Sequence, residues 1–161
     1  MSPGCETIVV IGVGNSTRGD DAIGGLAAQA LARMPLPEIR VVEVKGDATQ
    51  LLEALISAAD VIVIDACQSG AAAGTIHRYD AAQERVPANI GCVSSHGFGL
   101  AAALELARTF EQLPRRCVVL AVEGEDFTHG ASLSPPVAAC FDELMRRVEQ
   151  EIGHMRQASA P

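Results

Sequence analysis

Apolar and polar positions along the chain follow two alternating rhythms. Short runs dominated by Val and Ile cover residues 7–11, 39–44, 61–64 and 117–122, and a more polar run covers 75–79. Between them Ala, Leu and Ile recur at the three- and four-residue spacing of a helix face. A brief unbroken apolar run is a strand buried on both faces, whereas the wider spacing is an amphipathic helix. The spacing predicts helices over 20–34, 47–56, 100–110 and 137–152. Pro35 and Pro37 stop the first of these, and Asp47 is placed to cap the second. Pro135 and Pro136 sit where a first helical turn tolerates proline. The tail from Gly153 is expected to fray. The run 75–79 carries His77 and Arg78, which suits an edge strand, and the Gly/Ala-rich stretch 68–74 before it reads as a flexible loop.

Strands alternating with helices imply right-handed crossovers. The expected fold is a three-layer α/β sandwich, a mostly parallel twisted sheet of about five strands with helices on both faces. No repeat, linker or shift in composition divides the chain, so 1–161 is read as one domain.

Composition narrows the function classes. The chain has 161 residues, 48% of them hydrophobic, but only 3% are aromatic and Trp is absent. The core must therefore be built from Ala, Val, Leu and Ile, as in a parallel sheet covered by small-residue helices. A net charge of −8 argues against a nucleic-acid binder or an anionic membrane surface, since no basic stripe exists to meet phosphates. No apolar segment approaches membrane-spanning length, and the N-terminus has no signal-peptide pattern. The five cysteines (Cys5, Cys67, Cys92, Cys117 and Cys140) contain no Cys-x-x-Cys pair, so a thiolate zinc site is not expected. Reduced thiols and a cytoplasmic location are the expectation.

The polar residues sort themselves once the strands are placed. In open parallel sheets ligands bind beyond the carboxyl ends of the strands. Asp20 and Asp21 follow the first strand, Asp65 ends the third, His96 precedes the helix at 100–110, and the loop 123–129 follows the last strand. Two carboxylates and an imidazole suit a borderline divalent ion such as zinc, nickel or manganese. The same groups also suit general acid–base catalysis by carboxyls held at different pKa values. An Asp that ends a buried strand needs a partner for its charge. Asp20 reads as a helix cap or as a helper of Asp21. His77, His129 and His154 read as surface residues. Gly12-x-Gly14 resembles the start of a dinucleotide fingerprint, with Glu43 as its distant acid, but Thr17 stands where the third glycine belongs. No Gly-x-Ser-x-Gly elbow is present. Cys67 and Cys92 lie near the proposed site and read as small buried thiols rather than nucleophiles.

Taken in order, these residues resemble a known family. Gly12-Val13-Gly14-Asn15 with Asp20-Asp21 and Gly24, then Asp65-Ala66, then Ser95-His96-Gly97-Phe98-Gly99-Leu100, then Val122-Glu123 and Leu133-Ser134-Pro135 are similar to the ordered motifs of the hydrogenase maturation proteases. The resemblance implies an endopeptidase that removes the C-terminal extension of a nickel–iron hydrogenase large-subunit precursor. It implies that Asp21, Asp65 and His96 are the catalytic, metal-contacting residues. The ion is nickel already inserted in the substrate, and other divalent metals are expected to substitute for it. The chain departs from the family at Val44-Lys45-Gly46-Asp47, where Asp-Gly-Gly-Thr is common. The alternatives are a non-catalytic nickel metallochaperone using the same three residues and a Rossmann-type nucleotide-binding protein.

Overall fold

The computed structural model describes residues 7–90 and 99–159. Strand β3 (Asp60–Cys67) lies at the centre of the sheet, and all its residues are buried. Around it are β1 (Ile8–Val13), β2 (Ile39–Val44), β4 (Ile76–Asp80) and β5 (Arg116–Glu123), in the spatial order β2-β1-β3-β5-β4. The pairs β1–β2, β1–β3 and β3–β5 are parallel. Strand β4 runs antiparallel to β5. Its direction follows from the short link after β3, which contains no helix to carry the chain back to the starting edge of the sheet.

Side-chain alternation divides the core. Val9, Ile11, Val13, Val61, Val63, Val119 and Ala121 face one way, packed with α2 (Ala48–Leu55) and α3 (Leu100–Thr109). Ile8, Val10, Ile62, Ile64, Leu120 and Val122 face the other way. That second face is covered by α1 (Ile23–Ala32) and α5 (Phe141–Ala158), with Val137 of the short α4 (Pro135–Ala139) beside them. The three layers and the mainly parallel sheet match the sequence expectation. No helix among the described residues is long and apolar enough to cross a membrane.

Three boundaries differ from the pattern-based expectation. The first helix opens with a separate 3-10 turn, Gly19–Ala22, before α1 starts at Ile23. The last helix breaks at Cys140 into α4 and α5. The tail does not fray at Gly153, because Ile152 and Met155 continue the buried series of Leu144 and Val148, and Arg156 donates to the Pro37 carbonyl at 2.8 Å. Tertiary contact extends a helix that its own composition would let unwind.

Helix α1 comes close to the strand ends because its facing positions are glycine. A Cβ at Gly24 would lie 2.2 Å from the Val13 carbonyl oxygen and 2.5 Å from that of Ile64. Gly24→Ala is expected to cost about 3 kcal/mol by forcing α1 off the sheet. Urea denaturation should show this as a lower midpoint at unchanged slope. A midpoint equal to the wild type would mean that the helix start has room to move.

Candidate active site

The loop after β1 is shaped by close contact between chain segments. Gly14 has φ 148°, and a Cβ there would meet the Asp21 carbonyl oxygen at 1.9 Å. Only glycine allows this approach. Asn15 Oδ1 accepts from the Thr17 N–H at 2.9 Å and from its hydroxyl at 2.7 Å, folding the turn. The Asn15 N–H in turn donates to Asp21 Oδ2 at 3.0 Å. A Cβ at Gly12 would meet the Gly24 carbonyl oxygen at 2.1 Å, so Gly12 and Gly14 both serve chain packing. Glu43, the acid that a bound ribose would need, is instead occupied by the Gln29 amide at 3.3 Å. Asp21 is 7% exposed. Burial raises its pKa, and the Asn15 N–H and the charge of Arg18 oppose that shift only in part.

Asp65 lies within β3, two residues before its end, and is 2% exposed. Oδ1 accepts from the Ala66 N–H at 2.7 Å. Among the described residues Oδ2 has no partner, and it is the only such buried side-chain oxygen or nitrogen there. Burial above all, with the nearby charge of Asp21 adding to it, raises the Asp65 pKa well above the usual carboxylate range. The other buried acids are served. Asp60 is gripped by Arg116 through Nε at 2.7 Å and through Nη2. Glu151 accepts from Arg78 Nη2 at 3.2 Å. Asp20 and Glu123 each collect several donors, described below. An orphaned buried carboxylate oxygen costs stability, which sets Asp65 apart from the other buried acids.

His96 and Cys92 lie outside the described residues. Helix α3 begins four residues after His96, and its Leu100, Ala103 and Leu104 pack on the sheet face that carries Val61, Val63 and Cys67. Alternation along β3 puts Asp65 on that same face.

Asp20 is neither a helix cap nor a partner of Asp21. It is fully buried and points toward the loop after β5. Its carboxylate accepts from the N–H groups of Glu125 (2.9 Å), Asp126 (3.0 Å) and Ser134 (2.7 Å) and from the Ser134 hydroxyl (2.8 Å). Burial pushes its pKa up, but these donors outweigh it and hold the carboxyl below its ordinary value. Two adjacent aspartates thus have opposite electrostatics and separate tasks.

Glu123 ends β5 and acts as a second hub. Its Oε1 accepts from the N–H groups of Ser69 (2.7 Å) and Gly70 (3.0 Å). Its Oε2 lies 2.7 Å from the Ser69 hydroxyl, 3.2 Å from Cys67 Sγ and 3.2 Å from His77 Nε2. The 68–74 loop, expected to be flexible, is tied at both ends, since the Gly74 N–H also donates to the Glu123 carbonyl at 2.8 Å. His77 is not a surface residue; its side chain is 23% exposed and paired with Glu123. Burial, with Glu123 and Asp65 adding to it, pushes the Cys67 thiol far above its ordinary range, which argues against a ready thiolate nucleophile.

In the sequence Asp65 is conspicuous because a charge at the end of a buried strand needs explaining. The same argument applies to Glu123 and would have found this hub. His77 carried no comparable signal, because an edge strand leaves the direction of each side chain open.

The Asp21 and Asp65 carboxyls, both raised and coupled through charge, can take up a divalent cation, or they can hold one proton between one ionised and one neutral group. A family model described as hydrogenase maturation protease (HycI) matches residues 26–151, which include Asp65 and His96 and begin after Asp21. Comparison with curated proteins by sequence gave no match. Among solved structures, the hydrogenase maturating endopeptidase HybD from E. coli is 23% identical, with 95% of this chain and 94% of that one covered and a TM-score of 0.76. An endopeptidase from Escherichia coli solved in solution is 24% identical over 96% and 94%, with a TM-score of 0.80. The [NiFe] hydrogenase maturation protease HycI from Thermococcus kodakarensis KOD1 is 21% identical over 94% and 95%, with a TM-score of 0.71.

Proposed function

Because the chain belongs to the hydrogenase maturation protease family, we propose that it is the endopeptidase that removes the C-terminal extension from a nickel-loaded nickel–iron hydrogenase large-subunit precursor. In this reading Asp21, Asp65 and His96 meet the nickel ion that the substrate carries. The unpartnered Asp65 Oδ2 is the observation that supports it most directly. A carboxylate oxygen left without a donor in a buried site suits a ligand that arrives from outside. Asp21 adds a second oxygen donor, and its nearby charge makes a cation at this point more favourable still.

Nickel acts here as part of the substrate, so cleavage waits until the metal is inserted. The ion supplies Lewis-acid polarisation of the bond to be cut or of the attacking water. Other divalent ions of similar preference can take its place at two oxygens and an imidazole nitrogen. Asp20 takes no part in proton transfer, since its carboxylate is committed to the 125–134 loop.

The test is incubation with precursor prepared with and without nickel. The wild-type chain is expected to release a shortened large subunit from the nickel-loaded precursor only. An Asp65→Ala, His96→Ala double variant that cleaves as fast as the wild type would sink the assignment. Tight nickel binding by the isolated chain in equilibrium dialysis, with no cleavage on adding precursor, would favour a metallochaperone.

A further inference from the structure

Three side chains from three different strands converge beside the Asp21–Asp65 pair without joining it. Cys67 closes β3, His77 is the second residue of β4, and Glu123 closes β5. A ligand atom from each lies within 4.8 Å of the others. We propose that Cys67 Sγ, His77 Nε2 and Glu123 Oε2 form a binding site for a divalent cation of borderline softness, with zinc as the best fit.

The donor chemistry comes first. Thiolate, imidazole and carboxylate together select zinc over the harder calcium and magnesium, which take all-oxygen sets. Spacing comes second. Around a tetrahedral zinc ion, with bonds of about 2.0–2.3 Å, neighbouring ligand atoms stand about 3.3–3.8 Å apart. Sγ and Nε2 each lie 3.2 Å from Oε2, so two of the three separations are already near that spacing.

The site is also preorganised. The Ser69 and Gly70 N–H groups pin Oε1 of Glu123, which fixes where Oε2 points. That oxygen faces the Cys67 thiol, the Ser69 hydroxyl and the His77 ring together. Three heteroatoms exceed the two lone-pair directions that one carboxylate oxygen offers. A cation among them resolves the crowding: it replaces the thiol proton and leaves the Ser69 hydroxyl as an outer hydrogen bond to the carboxylate. The fourth position belongs to water, because His77 is the one ligand with solvent access. Ligands drawn singly from three strands form no spacing motif, which is why the absence of Cys-x-x-Cys was no guide.

Cobalt(II) titration of the reduced, chelator-treated full chain tests the site. Cobalt bound through a cysteine gives a thiolate-to-metal charge-transfer band in the near ultraviolet, which oxygen and nitrogen ligands alone do not produce. One equivalent per chain is expected to raise this band, and added zinc to abolish it by displacement. Asp65→Asn should keep the band, which separates this site from the proposed substrate-nickel residues. Cys67→Ser and His77→Gln should lose it, with far-ultraviolet circular dichroism confirming that each variant is folded. A wild-type chain without the band would overturn the proposal, and this outcome needs no variant. So would a full-strength band in Cys67→Ser, or a band lost in Asp65→Asn alone.

Discussion

Asp65→Asn is expected to move activity and stability in opposite directions. Processing of the nickel-loaded precursor should fall by at least about a hundredfold, the scale of losing a group that works at the reacting centre. The metal-free protein should gain about 1 kcal/mol at pH 8, because a neutral side chain escapes the burial penalty on the ionised carboxyl, even though its amide N–H groups inherit the unpartnered position of Oδ2. The gain arises because the introduced amide keeps an oxygen for the Ala66 N–H while the substitution removes a charge that has no partner and lies close to Asp21. Its pH dependence has a definite sign. The folded state holds the Asp65 proton more tightly than the unfolded chain, whose value is near 3.8. Wild-type stability therefore declines as pH rises from that value through the raised folded-state pKa. Asp21 is raised too and adds to the decline in the same direction. Urea denaturation of both proteins should show Asp65→Asn ahead by more at pH 8 than at pH 5. A variant that is less stable at pH 8 yet processes precursor at the wild-type rate would mean that Asp65 is a structural residue.

Asp20→Ala is expected to produce the largest stability loss, about 3 kcal/mol or more at pH 7. Three backbone N–H groups and a hydroxyl, spread over Glu125, Asp126 and Ser134, would lose their acceptor together. Each unsatisfied buried group costs about 1–3 kcal/mol, though water entering the gap recovers part of the sum. The loop should open, so limited proteolysis should cut between 124 and 134 in the variant before it cuts the wild type. The acid dependence is opposite to that of Asp65. Asp20 has a lowered pKa when folded, so its contribution is complete above 3.8 and disappears as pH falls through the folded-state value. The gap between wild type and Asp20→Ala should therefore narrow between pH 5 and pH 2. A gap that stays constant over that range would show that the carboxylate charge does not hold the loop.

The sequence misplaced Asp20 of this pair. Asp20 and Asp21 are neighbours at an expected helix start, where each looks like a cap. The 3-10 turn at Gly19–Ala22 separates them, aiming Asp20 at the loop after β5 and leaving Asp21 with Asn15. Local propensity does not encode such a division, because the donors for Asp20 come from more than 100 residues further along. The 68–74 stretch is a similar case. Its composition says flexible, but Glu123 ties it down from a strand that the loop's own residues cannot anticipate.

What the sequence alone determined is the alternation of buried strands and helices, and so the three-layer, mostly parallel sheet. Hydrophobic periodicity is a local property, and it is strong where strands are buried on both faces. Asp65 also stood out by itself, since a carboxylate on a buried apolar strand conflicts with its surroundings whatever the tertiary detail. Only the tertiary structure decided which carboxylates are satisfied and which is left open. The donors for Asp20 and Glu123, the absence of one for Asp65 Oδ2, and the meeting of Cys67, His77 and Glu123 all arise between segments remote in sequence. Hydrogen-bond satisfaction is a property of the folded neighbourhood, and no one-dimensional pattern carries it.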